Sequence, residues 1–495
     1  MKHALFVAGL VCWPAFATAQ QSAPAQTPAT LSLADAIAIA REHNPTYRQV
    51  QNDRGPAAWG VRNAWSAMLL PTVTASGGVT YTGPGKQTFL TSSFSQSVST
   101  VSSSYDIGLS WQLSGATLSQ PGLQRAQQRA TDMDIAGAAT TLVTVVTQQY
   151  LTVLQAIENA EVARKQLERN QEFQKLAQAR FDVGQATLID VRQAQVARGT
   201  AEVALLRAET AVSIEKLRLF QGLGVSAPVD VKGVRLTETF TVQAPAWKLE
   251  DLLRTAEQQN PALAALRARE QAATWGVRAA TASYGPTLSV SAGWSGFTQQ
   301  FTDVDPIISD QQTAFDLQKA QCDEDNIIRT NNGLPPRDCN IYVWGAQNER
   351  ALRAQNSVFP FEFTRQPFQA RFTLTLPLFT NFSRPLRVSE AKAQHGDLEE
   401  SVRARGLAVQ TDVSQAHLTL ETAHRTIAIQ DTSRAAAREQ LQLATERYRV
   451  GSGTFFELLD AQVASLRAEY DYISAVYDYH KAVAALESAV GRPLR

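Results

Sequence analysis

The sequence predicts an α+β membrane protein in which four β-strands are set among long, antiparallel coiled-coil helices. Three observations carry that prediction. A Gly-centred stretch occurs twice, RFDVGQATLIDVRQAQVA at 180–197 and RYRVGSGTFFELLDAQVA at 447–464. Four short segments alternate apolar and polar residues. Two very long runs, 122–227 and 386–492, contain no proline.

The repeat is the widest of several. LADAIAIAREHNP (33–45) matches LEDLLRTAEQQNP (249–261), and each is followed by Trp-Gly-Val-Arg, at Trp59–Arg62 and Trp275–Arg278. The chain therefore reads as an internal duplication. The spacing between copies grows by about fifty residues between Thr298 and Arg371, so the second half carries an insertion there. The expected organisation is a signal peptide at 1–19, a first repeat at 20–224, a linker at 225–248 with Pro228 and Pro245, and a second repeat at 249–491.

Each half follows one order. A short amphipathic helix opens it, capped in the first half by Ser32 with Asp35 three residues on. Asn-Pro breaks this helix, and a second runs to Pro71 or Pro286. Strands follow at about 71–82 and 104–115 in the first half, and at about 286–298 and 368–379 in the second. The second pair flanks a long loop, 299–366.

In YDIGLSWQL (105–113), Tyr105, Ile107, Leu109, Trp111 and Leu113 alternate with Asp106, Gly108, Ser110 and Gln112. FQARFTLTLPL (368–378) places Phe368, Ala370, Phe372, Leu374, Leu376 and Leu378 on one face and polar residues on the other. TVTASGGVTY (72–81) and TLSVSAGW (287–294) alternate with smaller side chains. Period-two alternation over about ten residues suits a membrane strand with lipid on one side and a lumen on the other. Four strands cannot close a barrel, since small barrels need about eight. An open edge in lipid leaves backbone groups unsatisfied, so copies of the chain must supply the rest: two would give eight strands, three would give twelve.

The proline-free runs carry coiled-coil spacing: Val143, Val146, Tyr150, Val153 and Ile157 in one, and Leu459, Val463, Leu466, Tyr470, Ile473 and Tyr477 in another. From Pro121 to Gly184 a helix would reach roughly 90 Å, longer than any bilayer. Each run is expected to be a helical hairpin, about 120–222 and about 385–490, and the repeated Gly-centred stretches are their turns. Glycine relieves the backbone where the chain reverses. Asp190 and Glu457 open the returning helices, where the helix dipole favours negative charge.

Composition narrows the function. The chain has 46 Lys plus Arg against 46 Asp plus Glu, so no basic field points to nucleic acid. Lys2, the apolar run Ala4 to Trp13 and the Ala17-Thr18-Ala19 site read as an export signal. Leu10-Val11 before Cys12 lacks the small residues of a lipoprotein signal, so an unlipidated start near Gln20 is expected. No later stretch offers about 20 consecutive apolar residues. Cys322 and Cys339, in an exported chain, most simply form one disulfide, a metal site being the alternative. His417, Glu421 and His424 share one helical face and could hold a metal, but on a polar helix such histidines are more often solvated. Asp323-Glu324-Asp325 could attract calcium or lie in solvent. No nucleophile–base set or phosphate-binding loop appears, so no enzyme and no cofactor is expected. A soluble periplasmic scaffold or adaptor would explain the coiled coils and the signal, but not the four strands.

The duplicated order, the V-G-x-x-T-x-x-[DE]-[VL] motif at both tips, the paired Asn-Pro breaks and Pro-Leu-Phe at 377–379 resemble the TolC family of outer membrane efflux proteins over nearly the whole mature chain. That resemblance implies a homotrimer with a twelve-stranded barrel in outer membrane lipid and a periplasmic tunnel of helices. It implies passive conduction within a tripartite efflux pump or type I secretion system, docked to a periplasmic adaptor and an inner-membrane transporter. Glu457 and Asp460 sit where the family places two inward carboxylate rings. Tyr448 and Asp190 match a pair that holds the tip closed, whereas Gly453 stands where the family has a basic residue. Adaptor docking would fall on the tips, Val183, Gly184, Gln185, Ala186 and Thr187, and Val450, Gly451, Ser452, Gly453 and Thr454.

Overall fold

The computed structural model describes residues 30–494, apart from 90, 91, 97 and 239; the expected signal peptide lies outside them. In chain order the first half comprises β1 (Thr30–Leu31), α1 (Leu33–His43), α2 (Pro45–Asn52), α3 (Arg54–Leu69), β2 (Thr72–Thr82), β3 (Gly85–Phe89), β4 (Ser92–Gln96), β5 (Thr100–Leu113), α4 (Gly115–Asp182) and α5 (Leu188–Leu223). After β6 (Arg235–Leu236) come α6 (Leu249–Gln259), α7 (Pro261–Ala282), β7 (Thr287–Phe301), α8 (Asp305–Asn331), α9 (Ala346–Gln355), β8 (Thr364–Arg365), β9 (Gln369–Thr375), α10 (Ser383–Val450) and α11 (Phe455–Val490). Among the described residues no helix is long and apolar enough to cross a membrane.

The chain divides into two compact units. The first comprises residues up to 58, 126–271 and 396–495. Its contacts show that the duplication is tertiary as well as sequential. Asn44 caps α2 by accepting from Tyr47 N at 3.0 Å, and donates from Nδ2 to the Gly222 carbonyl at 2.8 Å. Asn260, its counterpart, accepts from Leu263 N at 3.2 Å and donates to the Ala489 carbonyl at 3.0 Å. The Asn-Pro pairs thus do more than break a helix. Each starts the next helix and ties it to the last turn of the returning one. Those last turns end at Gly224 (φ 77) and Gly491 (φ 92). A Cβ there would fall 2.4 Å from the His43 carbonyl oxygen and 2.7 Å from Pro261 Cδ respectively, so only glycine fits.

The same correspondence holds where each half begins. Fully buried Tyr150 donates its hydroxyl to the Leu31 carbonyl at 2.8 Å, and His417 Nε2 lies 3.2 Å from the Trp247 carbonyl, the matching pair. Around the first anchor packs a core of Leu31, Val146, Tyr150, Val153, Leu219 and Leu223, and around the second one of Leu252, Val409, Val413, Leu420, Val483 and Leu486. Of the expected seam on α4, Val146, Tyr150 and Val153 lie in that first core and Ile157 packs against it, while Leu142 rather than Val143 continues the stripe. On α11 the buried stripe is instead Leu458, Ala461, Gln462 and Ser465, while Val463 of the expected seam is 64% exposed. Leu459 of that seam packs against a core at the helical tips, and Leu466, Tyr470, Ile473 and Tyr477 are half-buried.

The second unit, 59–125 and 272–395, holds the sheet. β2, β5, β7 and β9 pair antiparallel in that order, with β8 a short addition to β7. Register sets its chemistry. Tyr81, Val79, Val73, Ile107, Leu109, Trp111, Trp294, Val290, Leu288, Phe372 and Leu374 fall on one face. Thr74, Ser76, Asp106, Ser110, Ser295, Ser291, Gln369 and Arg371 fall on the other. One-residue slippage of any strand would mix the two faces. The repeated Trp-Gly-Val-Arg motif has a local cause: Arg62 and Arg278 each stack on the tryptophan three residues earlier, at 4.8 and 4.6 Å.

Two expectations need correction. The α4 helix begins at Gly115, not near 120, because Ser114 Oγ caps it by accepting from Thr117 N at 3.2 Å; Pro121 is carried inside rather than marking the start. The segment 299–366 is not a plain loop. It contains α8 and α9 and a 3-10 turn at Cys339–Tyr342. The Cys322–Cys339 disulfide is present, with Cα atoms 5.7 Å apart, and fixes α8 to that turn. Asn326 braces the same corner by accepting from Arg337 N at 2.6 Å and donating to its carbonyl at 2.8 Å. Within the acidic run, Lys319 pairs with Asp323 at 3.0 Å and Arg337 with Asp325 at 4.0 Å.

Candidate functional site: the helical tips

The turns α4–α5 and α10–α11 are built alike. Gly184 (φ 75) and Gly451 (φ 85) take the left-handed conformation that ends a helix. Gln185 N returns to the Arg180 carbonyl at 2.8 Å, and Ser452 N to the Arg447 carbonyl at 2.9 Å. Thr187 and Thr454 then cap α5 and α11 by accepting from Asp190 N at 3.3 Å and Glu457 N at 3.2 Å. Val183 and Val450 are 68% and 75% exposed, so both turns present apolar side chains to solvent.

Behind the turns the four helices meet in a small core of Ala177, Ala194, Tyr448, Phe455 and Leu458. Tyr448 stacks edge-on against Phe455, with ring centroids 5.4 Å apart. Its hydroxyl is buried and has no hydrogen-bond partner among the described residues. Burial pushes its ionisation up; the nearby Asp190 charge adds to this and Arg180 opposes it.

The predicted residues divide by geometry. Asp190 lies close enough to Tyr448 to affect its ionisation, but its carboxylate accepts from Thr187 N at 2.9 Å and completes a capping box. No hydrogen bond joins the two side chains within one protomer. Glu457, one methylene longer, reaches the Arg447 guanidinium at 3.6 Å. Asp460 is exposed one turn further along α11, with no ion pair among the described residues. At Gly453, a Cβ would fall 3.0 Å from Arg447 Cβ and 3.3 Å from a Glu457 oxygen. The space for a basic side chain at 453 is thus filled by Arg447.

Sequence reading missed the two arginines. Both occupy the same place in the duplicated motif, where RFDVG and RYRVG begin, and that repetition was the available signal. Arg447 Nη2 donates to the Ser452 carbonyl at 3.3 Å, and Arg180 Nη2 to the Gln185 carbonyl at 3.1 Å. Arg180 does more: it also donates to the Tyr448 carbonyl and lies 4.7 Å from the Tyr448 ring centroid. The histidines are engaged in packing, His417 at the Trp247 carbonyl and His424 against Tyr479 at 5.9 Å.

A two-faced antiparallel sheet joined to duplicated helical hairpins defines the class. The chain belongs to the outer membrane efflux protein family, whose model matches residues 36–225 and 346–492. It is thereby a protein of the Gram-negative outer membrane, in a family of channels rather than of enzymes. Among characterised relatives, it is 24% identical over 350 residues to outer membrane efflux protein BepC of Brucella suis, covering 69% of this chain and 61% of BepC. It is 22% identical over 380 residues to outer membrane protein TolC of Vibrio cholerae, covering 74% of this chain and 72% of that one. In fold it resembles the outer-membrane channel OprN, with a TM-score of 0.68 at 18% identity, covering 93% of this chain and 89% of OprN.

Proposed function

We propose that this chain is the outer membrane channel of a tripartite efflux pump or type I secretion system. It assembles as a homotrimer and conducts substrates passively to the exterior. The observation that carries the reading is the sheet. Its four main strands bring most large apolar side chains to one face, with Phe297 and Phe301 at the end of β7 on the other. On that apolar face Val73, Val79, Phe372 and Leu374 are 65 to 73% exposed. Among the described residues its outer strands β2 and β9 each have one unpaired edge. Such a face suits lipid, and in lipid both edges must be paired. Three copies give twelve strands, the number the family resemblance implies.

The helices support the same assembly. Leu188, Ile189 and Val196 of α5 and Phe456, Val463 and Leu466 of α11 line one apolar groove, five of them more than half exposed. Packing against a neighbouring copy would cover it. In the trimer Glu457 and Asp460 would each recur three times around the constriction and favour cations. The tip turns, 183–187 and 450–454, would receive a periplasmic adaptor that links the channel to an inner-membrane transporter.

The test is native mass spectrometry of detergent-purified protein together with conductance in planar bilayers. Trimers that conduct, with lower cation preference in a Glu457→Ala/Asp460→Ala variant, are expected. A chain that salt or alkali strips from membranes as a monomer would refute the channel and revive the soluble scaffold.

A further inference from the structure

We propose that Arg180 is the clasp that joins the two helical tips of one protomer, freed for that role because Asp190 is one methylene too short to hold it. The inference rests on the channel reading for its consequence, but its geometry stands independently. Arg180 and Arg447 hold matching positions and make the same bond to their own turns, to Gln185 and Ser452 respectively. Opposite Arg447 stands Glu457, whose carboxylate reaches it at 3.6 Å and keeps the guanidinium on its own hairpin. Opposite Arg180 stands Asp190, whose carboxylate is spent on the Thr187 amide at 2.9 Å. With no carboxylate to hold it, Arg180 crosses to the second hairpin, donates to the Tyr448 carbonyl and lies over the Tyr448 ring.

The second hairpin is shaped to receive it. Tyr448 is 3% exposed and fixed by Phe455 and Leu458, so ring and carbonyl form a rigid seat. The first hairpin offers Phe181 at the matching position, 38% exposed, and nothing there binds Arg447. The link is therefore one-directional, from α4 to α10. It takes the place of the basic residue that Gly453 lacks. The seat also carries a penalty: the Tyr448 hydroxyl and Arg180 Nε are both buried without partners among the described residues. Buried unpaired polar groups are costly, and opening the seat to water would relieve both. Arg180 is thus a positioning residue for the constriction, in a contact balanced so that it can be released.

The experiment places cysteine spin labels at Val183 and Val450 in the full-length protein, purified in detergent after co-expression with excess unlabelled chain. The native cysteines of the described chain are tied in the Cys322–Cys339 disulfide. Wild type should give one narrow distance distribution. Arg180→Gln should broaden it, and Arg447→Gln, which removes the equivalent bond without a bridge, should not. An unchanged distribution in Arg180→Gln, or equal broadening in Arg447→Gln, would overturn the clasp whether or not the protein conducts. In planar bilayers Arg180→Gln should raise conductance several-fold over wild type. Loosened tips with unchanged conductance would remove Arg180 from the constriction while leaving the channel reading intact.

Discussion

The twin asparagines offer the most direct test of the duplicated architecture. Asn44→Ala removes the cap on α2 and the bond to Gly222, and Asn260→Ala removes the cap on α7 and the bond to Ala489. Losing an asparagine cap costs about 1 kcal/mol, and losing one further hydrogen bond about 1 kcal/mol more. Each substitution should therefore cost about 2 kcal/mol locally, equivalent to roughly thirty-fold in a local opening equilibrium. Hydrogen exchange of detergent-solubilised protein reads that quantity where it arises. Asn44→Ala should accelerate amides at 46–48 and 222–225 by about this factor, and Asn260→Ala those at 262–264 and 489–491. The two sites share no partner, so the double variant should show both effects undiminished. Acceleration at one site only, or below about threefold at either, would refute the claim that the duplication preserved an energetic anchor rather than a sequence motif.

Further outcomes follow from the geometry. Arg447 compensates part of the Glu457 charge whereas Asp460 is exposed and has no ion pair among the described residues, so Asp460→Asn should lower cation over anion permeability more than Glu457→Gln in reversal-potential measurements. Tyr150→Phe should lower thermal stability by about 1 to 3 kcal/mol because the Leu31 carbonyl keeps only its more distant donor, the Thr237 amide at 3.4 Å, and the Glu238 amide loses its acceptor. His417→Tyr, which copies the first half's solution, should be tolerated better than His417→Phe in the same melting assay. Burial, aided by the Glu158 charge, pushes the Tyr477 phenol up to about 12. The unfolded phenol ionises near 10, so Tyr477 favours the fold below that pH and its contribution is lost as pH rises towards 12. Alkaline unfolding followed by tyrosinate absorbance should be less steep over that window in Tyr477→Phe.

Much of the fold was legible because duplication and period-two alternation are written directly in the sequence. Asn44 and Asn260, Gly184 and Gly451, and the alternation in 105–113 each announce a backbone requirement that the structure meets. What stayed hidden depended on the third dimension. α8 is a polar helix without a continuous apolar stripe, so nothing periodic marked it, and Cys322, Asn326 and the Phe315–Trp344 ring contact hold it. The α11 seam was read from spacing that is real, but spacing does not say whether a partner helix comes from the same chain or another. Pro121 suggested a helix start because proline has no amide to donate, while the Ser114 cap seven residues upstream outweighed that signal. At the tips, Arg180 and Arg447 look interchangeable as residues. Only the reach of Asp190 against Glu457 separates them.

That difference in reach yields the last prediction, in which Arg180 itself is left in place. Asp190→Glu keeps a residue able to complete the capping box, so α5 should still start at Leu188, but the longer carboxylate can now approach Arg180 as Glu457 approaches Arg447. The seat on Tyr448 combines a charged hydrogen bond, about 1.5 to 3 kcal/mol, with a ring contact of about 0.5 to 2 kcal/mol. Against it stand two buried unpaired polar atoms at about 1 to 3 kcal/mol each. The terms nearly cancel, so even a surface ion pair worth no more than about 1 kcal/mol can shift the clasp, by roughly fivefold. The labelled tips should then show a second, longer distance in Asp190→Glu, and 1 M salt should suppress it by screening the new pair. Glu457→Asp should release Arg447 yet leave the distance as in wild type, since no tyrosine seat awaits it. A wild-type distribution in Asp190→Glu at low salt would mean that side-chain reach does not decide which arginine crosses.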